Sequence, residues 1–540
     1  MDIFGAKLID DELVVDTNLQ HANIYGYDVY FKNNSRISDN DCSDIIEIVK
    51  KNHCIAIRKY DSNIEILNDP FGYFPIYIYV EPSTSGNMFL IDTVFENFHG
   101  CKLTADIAGA YENLMYSSGL WDRTPFNEIK QMPAATKALF NTIERKLKVE
   151  SYWDFKIPLI DITSEDEVID KVWSVLSEIY KKYKNMSLVM GISGGLDSRL
   201  SMCLLKENAD LYKLKTFTFG HYKGIKDYKY AIETAKRLGA EAPEFIKLSD
   251  DTYSDAVSLP IKSGGNVGIN HGHAYFCLKQ MDIKSKTLIS NYYSDGVMGY
   301  DCRPSDVDDY LKCDYYHIFE SNFYNASPEI LEIIRNDLMK VISRRAKSDN
   351  YSGYNEYIYL TERNPKFHMK LSYLYSELLD VELPFAEYSL LQVVISLPQK
   401  YRYYKKIEHL ILEKRIGLFE DVSSTRYAGL DKEENYWTSK TAYNIKYVHM
   451  LLLNRCNAIL KLINNGKVMM PNPYITENHL AVFDRCFDKD KKWADELLYD
   501  TIGLAIKNNP LKQKCIRTAD ADRGFELISL AYLYREYIVE

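Results

Sequence analysis

The chain has 540 residues, of which 46% are hydrophobic and 26% are charged, a composition typical of a folded protein and not of a disordered or fibrous one. A chain of this length exceeds what one hydrophobic core usually serves, so two domains are expected. Its formal net charge of −10, with no cluster of Lys and Arg, argues against a general nucleic-acid partner, because affinity for phosphate backbones depends on such clusters.

The sequence carries no signal for a membrane or for disulfide bonding. No apolar run approaches the roughly 20 residues that span a bilayer, and the opening MDIFGAKLIDDELVV lacks the basic, apolar and small-residue order of a signal peptide. The 10 cysteines include no C-x-x-C pair, which favours reduced thiols over a disulfide framework or a zinc site. We therefore predict a cytoplasmic protein with a small-molecule or peptide substrate and with no nucleic-acid or membrane partner.

The N-terminal part of the chain is predicted to be rich in β-strands. The runs CIAIRKY, IEILNDP and FPIYIYV are short, β-branched or aromatic, and separated by Asp, Asn, Pro and Gly turn signals. ADIAGAYENLMYSSGL predicts a helix, and the polar stretch SYWDFKIPLIDITSEDE predicts a crossing between domains. We place the boundary near residue 155, which gives an N-terminal domain, 1–155, and a second domain, 156–540.

The second domain begins with alternating strands and helices. SLVMGI, LKTFTFG and PEFIKLS predict strands, and RLSMCLLKE and DYKYAIETAKRLGA predict the helices between them. This β-α-β-α-β order predicts a doubly wound parallel sheet and an α/β fold class. From about residue 305 the pattern is mostly helical, as in YSLLQVVISLP and KTAYNIKYVHMLLLNRCNAILKLI.

The motif Ser193-Gly194-Gly195-Leu196-Asp197-Ser198 lies between the first of these strands and its helix. Glycines at this position expose backbone N–H groups, and the N-terminus of the helix favours anions. The two serine hydroxyls can donate to phosphate oxygens, and Asp197 can hold an accompanying Mg²⁺. The alternative is a tight strand-to-helix turn with capping residues. The complete string in this context favours a phosphate site over that alternative, although it lacks the G-K-[ST] of a Walker motif.

The string SGGLDS resembles the pyrophosphatase loop of the asparagine synthetase and β-lactam synthetase superfamily, whose members cleave ATP between the α- and β-phosphates. TFTFG, ISNYYSDGVMGYD and ELPFAEYSLLQVVISLP resemble later segments of the same superfamily, in the same order. The resemblance implies an ATP-pyrophosphatase domain with a helical C-terminal part, and Mg²⁺ held by Asp197 and Asp295. It implies ATP binding by Ile192, Ser193, Gly194, Gly195, Leu196, Asp197, Ser198, Phe219, Ser290 and Asn291.

The N-terminal segment ILNDPFGYFPIYIY resembles part of the glutaminase domain of the same superfamily, and DRTPFNEIKQMP with ESYWDF resembles its linker. The resemblance implies an αββα domain of the N-terminal nucleophile (Ntn) type. Such a glutaminase needs a cysteine directly after the initiator methionine, because the freed α-amino group acts as the base. Position 2 is Asp2, and the nearest cysteines are Cys42 and Cys54. We predict a degenerate domain that has kept the scaffold without glutaminase activity.

Tyr292, three residues before Asp295, stands where asparagine synthetases carry glutamate. A tyrosine at this offset resembles β-lactam synthetases, in which it deprotonates the attacking amine. That role implies a pKa lowered from about 10. The resemblance makes Glu362 a candidate for its partner and Arg363 a candidate clamp for a substrate carboxylate. The alternatives are a tyrosine that fills a strand end and charges on a solvated helix face.

Two further groups of residues are weaker candidates. Arg426, in DVSSTRYAGLD, falls where the superfamily keeps a basic loop over the active site; Lys440 is its rival, and a surface role is open for both. The segment 263–266, with His271 and His273, is a candidate lining of the acceptor pocket. Ordinary loop histidines are the alternative to a metal pair, since no third and fourth ligand follow.

Together these features predict a ligase with ATP and Mg²⁺ as cofactors, which activates a carboxylate as an acyl-adenylate and releases AMP and pyrophosphate when an amine attacks. The favoured reaction is intramolecular lactam or macrolactam closure, as in β-lactam synthetases and lasso peptide cyclases. An asparagine synthetase-like enzyme that uses ammonia or amidates a surface polysaccharide is an alternative, and so is a non-catalytic nucleotide-binding scaffold. The substrates, the nitrogen source, a partner protein from a biosynthetic cluster and a homodimer stay open.

Overall fold

The computed structural model describes residues 1–9, 12–32, 37, 42–81, 89–162, 164–209, 211–283, 286–299, 310–320, 326–345, 353–418, 448, 452–453, 455–461, 463, 470, 477–504, 506, 509–515 and 517–539. They form a mixed α/β structure with two antiparallel sheets and one parallel sheet, which confirms the predicted α/β class. None of the described helices is both long and apolar enough to cross a membrane.

The antiparallel strands come first in the chain. They are β1 Phe4–Ile9, β2 Glu12–Thr17, β3 Gln20–Ile24, β4 Tyr27–Phe31, β5 Cys54–Tyr60, β6 Asn63–Asn68, β7 Tyr77–Val80, β8 Phe89–Asp92, β9 Ile129–Gln131, β10 Thr136–Asn141 and β11 Lys146–Ser151. One sheet has the order β2-β1-β8-β7-β9 and the other has the order β11-β10-β6-β5-β4-β3. The parallel strands are β12 Leu188–Gly191, β13 Leu214–Gly220, β14 Glu244–Lys247, β15 Thr287–Ile289 and β16 Asp380–Glu382.

Helices make up most of the remaining described structure. The α-helices are α1 Ile45–Lys51, α2 Ile107–Tyr116, α3 Glu165–Lys181, α4 Leu196–Asn208, α5 Lys226–Leu238, α6 Asp250–Asp255, α7 Ser258–Ser263, α8 His273–Gln280, α9 Ser294–Met298, α10 Asp314–Glu320, α11 Pro328–Arg345, α12 Tyr354–Ile358, α13 Met369–Tyr375, α14 Tyr388–Ser396, α15 Lys406–Leu410, α16 His479–Phe487, α17 Lys491–Ile502 and α18 Thr518–Tyr534. A π-helical stretch, Tyr359–His368, joins α12 to α13, and another, Ile411–Ile416, extends α15.

The two antiparallel sheets pack face to face. Side chains alternate between the faces of a strand, so Ile55 and Ile57 of β5 enter the core between the sheets, whereas Cys54 and Ala56 pack with α1 on the outer face. The first sheet contributes Ile91 to the shared core, and its outer-facing tyrosines join the apolar cluster that contains α2. The N-terminal part is therefore layered as helix, sheet, sheet and helix.

The parallel sheet has the order β14-β13-β12-β15-β16. The chain moves outward from β12 through β13 to β14, and then returns to the other side of β12 with β15. The chain therefore leaves the carboxyl ends of β12 and β15 in opposite directions along the sheet. Such a topological switch point is where open α/β sheets form their ligand crevice. Leu188, Val189 and Met190 of β12 are buried, as expected of a central parallel strand.

The described C-terminal helices pack against the rest of the chain. Ser529 of α18 accepts a hydrogen bond from the backbone N–H of Ile269, and the Tyr534 hydroxyl donates to the carbonyl of Pro125. One apolar cluster includes residues from Phe71 to Tyr537. The predicted boundary near residue 155 falls between β11 and α3 and stays a prediction.

Lys370, on α13, is a fully buried lysine at the contact with the first antiparallel sheet. Its ammonium donates to the carbonyl of Thr93 (3.4 Å) and lies 4.9 Å from the ring centroid of Tyr77. Burial lowers the pKa of Lys370 to about 7. The folded protein therefore releases this proton at a much lower pH than an ordinary lysine does, because the low-dielectric interior disfavours the charged form.

We predict that Lys370→Met stabilises the protein at pH 6 and that its advantage over the wild type shrinks as the pH rises. Above pH 7, Lys370 keeps its proton in the unfolded chain but has lost it in the folded protein. The free energy of unfolding of the wild type therefore rises with pH, by at most about 1.4 kcal/mol per pH unit. Urea unfolding at several pH values measures the gap. The exposed Lys492 supplies the control Lys492→Met, and a gap independent of pH would contradict the buried-lysine explanation.

Candidate functional site

A cleft of about 630 Å³ lies at the carboxyl ends of β12, β13 and β15, at the switch point of the parallel sheet. Of the predicted ATP-site and metal residues, those that line it are Ile192, Ser193, Gly195, Asp197, Ser198, Phe219, Ser290, Asn291 and Asp295. Gly194 and Leu196 belong to the same loop but do not line the cleft. The structure thus brings together segments that are about 100 residues apart in the sequence.

The glycine loop after β12 leads directly into α4. Gly195 is the N-cap of this helix, and no side chain caps its first turn, so the exposed N–H groups at this end favour an anion. The N–H of Gly194 donates to Asp227 (3.1 Å), and that of Gly195 donates to the hydroxyl of Ser193 (3.1 Å). A Cβ atom at Gly195 would lie 3.2 Å from the Ser193 hydroxyl oxygen, so a side chain at this position would crowd the turn.

Asp197 and Asp295 meet at the buried ammonium of Lys405. Lys405 Nζ contacts Asp197 Oδ1 and lies 2.5 Å from Asp295 Oδ1 and 3.9 Å from Glu408 Oε2. The Ser294 hydroxyl also donates to Asp197. Burial alone would raise the pKa of Asp197, but the charge of Lys405 and the hydrogen bonds of Asp197 with Glu408, Lys405 and Ser294 together outweigh burial and hold the pKa at about 2. Burial raises the pKa of Glu408 well above its ordinary value, and the charge of Asp197 adds to this.

The two aspartates fit a hard divalent cation, since their carboxylate oxygens converge on a single positive charge. No group of three His, Cys, Asp or Glu side chains in the described part of the chain is arranged to hold a metal ion. A divalent cation between Asp197 and Asp295 would therefore complete its oxygen ligands with water and phosphate, as Mg²⁺ does in nucleotide sites.

Tyr292 lies on the wall of the cleft, but its surroundings differ from those expected of a base. Its hydroxyl is 3.1 Å from that of Tyr375, and its ring stacks on His368 with centroids 5.1 Å apart. Burial raises the pKa of Tyr292 to about 12, whereas the predicted role implies a lowered pKa. Glu362 forms an ion pair with Lys366 (2.8 Å) and does not line the cleft. The structure therefore does not join Glu362 to Tyr292.

The remaining candidates separate into three groups. Arg363 lines the cleft, with its guanidinium carbon 4.6 Å from the ring centroid of Phe367. The segment 263–266 does not line it, because Asn266 hydrogen-bonds to Gln131 at the contact with the antiparallel sheets. Arg426 and Lys440 lie outside the described residues.

Sequence reasoning missed Lys405, Tyr375 and Glu477. Lys405 meets Asp197 across 208 positions of the chain, so no local spacing relates the two. Tyr375 and Glu477 line the cleft but belong to segments without a distinguishing motif. Only the tertiary structure selects these residues from the many tyrosines and acidic residues of the chain.

No model of a known protein family matches this chain, and no curated protein matches it either. The likeness to asparagine synthetases stays a resemblance of short motifs. The chemistry of the cleft itself therefore carries the functional proposal.

We predict that Lys405→Met destabilises the protein by about 3 kcal/mol, because it removes the buried cation that Asp197 and Asp295 share. Excess magnesium chloride should recover part of this loss, since a divalent cation can replace the missing charge. Urea unfolding with and without Mg²⁺ measures both effects. The partly exposed neighbour Lys406 gives the control Lys406→Met, for which we expect a change below about 1 kcal/mol. An equal loss in both variants would contradict the assigned role.

Proposed function

We propose that the chain is an ATP-dependent carboxylate–amine ligase that forms an acyl-adenylate and releases pyrophosphate and AMP. The observation that carries the proposal is the meeting of Asp197 and Asp295 at one positive charge, beside a glycine loop that opens an uncapped helix. An anion cradle next to paired carboxylates suits a nucleotide triphosphate with its divalent cation. We also propose that the helix–sheet–sheet–helix layers are an Ntn-type domain, 1–155, and that residues 156–540 form an ATP-pyrophosphatase domain.

The proposed nucleotide lies along the carboxyl ends of the parallel strands. Its phosphates face the N–H groups and hydroxyls of the loop 193–198, and Phe219 lies beside the base. Asp197 and Asp295 would hold Mg²⁺, which supplies charge neutralisation for the leaving pyrophosphate. Lys405 must then leave its position between the two aspartates, and we place its ammonium against the phosphate oxygens of the bound nucleotide. In this arrangement Lys405 stabilises the negative charge that develops on pyrophosphate.

The proposed substrate carboxylate binds near Arg363 and attacks the α-phosphorus of ATP. An amine, which attacks in its uncharged form and gives up one proton to solvent as the amide forms, then expels AMP from the acyl-adenylate. The high pKa of Tyr292 in the free protein suits a hydrogen-bond donor that orients the substrate better than it suits a base at neutral pH. We favour closure of a lactam or macrolactam on a peptide or natural-product substrate in the cytoplasm.

A second candidate function is a nucleotide-binding scaffold without catalysis. The observation that favours it is again Lys405, whose ammonium already lies between the two aspartates. A scaffold could keep this arrangement and bind a nucleotide without Mg²⁺. The two candidates therefore differ in whether nucleotide binding depends on the divalent cation.

We predict that the purified chain releases pyrophosphate and AMP from Mg·ATP in the presence of a suitable carboxylate and amine, and that Asp197→Asn lowers this rate by about 100-fold or more. The substrates to supply in turn are glutamine, aspartate with ammonia, and carboxylate-bearing peptides. The exposed Asp488 gives the control Asp488→Asn, which should keep full activity.

Equilibrium dialysis with ATP separates the two candidates without turnover. For a ligase, ATP binding strengthens with Mg²⁺ and weakens in Asp197→Asn. Binding that is insensitive to both Mg²⁺ and the substitution, together with no pyrophosphate release, would favour the scaffold.

A further inference from the structure

Glu477 places a carboxylate on the wall of the cleft, just before α16. Among the described residues its one partner within ion-pair distance is His273, whose Nδ1 lies 3.7 Å from Oε1. Burial lowers the pKa of His273 well below its ordinary value, so this imidazole carries no charge at neutral pH. The ring of His479 stacks on that of His273, and His479 is paired with Asp522 (2.5 Å). In the described part of the chain, Glu477 therefore has no Lys or Arg within ion-pair distance.

His273, which lies next to Glu477, also has an unused hydrogen-bonding group. His273 is 5% exposed, and its Nε2 has no hydrogen-bond partner in the described structure. Its ring stacks on Phe219, which lines the cleft, with centroids 5.9 Å apart. Burial raises the pKa of Glu477, although the charge of His479 opposes this, and the nearby Asp227 raises it further. A positively charged ligand at Glu477 would offset both the cost of holding its negative charge away from water and the repulsion from Asp227.

The rest of this wall is aromatic and apolar. The rings of His368, Tyr292 and Tyr375 are nearly parallel, at 19° and 22° between successive planes, and all three line the cleft. Ala274 and Leu278 of α8 line it too. Aromatic rings together with one carboxylate form a typical environment for an organic cation, which gains from the rings as well as from the charge.

We infer that Glu477 and this aromatic wall form an acceptor subsite for a positively charged primary amine carried on carbon, such as a peptide amino terminus or an alkylamine side chain. The inference rests on the proposed ligase function and names its amine substrate. Arg363 lies on the same cleft and would repel a cation, so the amine binds on the Glu477 side and the carboxylate on the Arg363 side. Free ammonium lacks the alkyl group that the apolar wall contacts and is a poorer ligand.

Binding of simple probes tests the subsite without turnover. The full chain is titrated with n-butylammonium and with its uncharged analogue n-butanol, and the dissociation constants are measured by NMR. Glu477→Gln should weaken butylammonium binding by about 10-fold or more, whereas butanol binding stays unchanged and Glu477→Asp keeps part of the affinity. The exposed Glu496 supplies the control Glu496→Gln. Equal butylammonium affinity in the wild type and Glu477→Gln overturns the inference, and so does ammonium chloride that binds as tightly as butylammonium.

Activity separates a failure of the subsite from a failure of the ligase. Hydroxylamine is mostly uncharged at neutral pH and can accept an acyl group from an adenylate. Glu477→Gln should therefore keep pyrophosphate release with hydroxylamine and lose about 10-fold or more in kcat/KM for an alkylamine. Equal losses with both acceptors overturn the inference. If the wild type releases no pyrophosphate with any acceptor, the proposed ligase fails, and the binding titration still decides whether Glu477 holds an amine.

Discussion

The buried ammonium of Lys405 is the interaction on which the cleft depends. It joins Asp197, at the start of α4, to Asp295, on α9, and it lies directly before α15 in the chain. Three elements that are distant in sequence thus meet at one charge. Because burying ions away from water costs several kcal/mol for each ion, such a cluster is stable only while its charges offset one another. A ligand that binds here must exchange one positive charge for another, which makes a nucleotide with its divalent cation a natural occupant.

Charged groups of both signs face the cleft. At the glycine loop, Lys405 and the N-terminus of α4 provide positive charge. Arg363 and Glu477 add one charge of each sign to the lining, which also includes aromatic rings. A substrate that carries both a carboxylate and an amine matches this pair of charges.

The sequence predicted those parts of the structure that depend on local patterns. The run CIAIRKY is β5, and the helix predicted in ADIAGAYENLMYSSGL is α2. The S-G-G-L-D-S loop lies at the end of β12, where the strand–helix order placed it. Hairpins such as β1–β2 were missed because their strands carry polar residues on one exposed face.

Contacts between distant segments could not be predicted in the same way. The meeting of Lys405 with Asp197, and the place of Glu477, follow from packing and not from spacing. Tyr292 was recognisable, but the rise of its pKa comes from burial, which no motif reveals. Glu362 is different, because Lys366 stands four residues later, which is the spacing of helix ion pairs, and the structure pairs Glu362 with this lysine and not with Tyr292.

The N-terminal sheets contact the elements that carry the aromatic wall of the cleft. Lys32, after β4, donates to the carbonyl of Val381 (3.0 Å) and pairs with Glu382 (3.2 Å), which also pairs with Lys182 after α3. The hydroxyl of Tyr373 on α13 donates to the carbonyl of Asp2. These contacts fix β16 and α13, and α13 carries Tyr375 of the aromatic wall. The Tyr293 hydroxyl donates to the carbonyl of Phe71, and Tyr293 directly precedes Ser294 and Asp295. The N-terminal part thus supports both the wall against which we place the amine and the segment that carries Asp295, so its loss would disturb the cleft at both places.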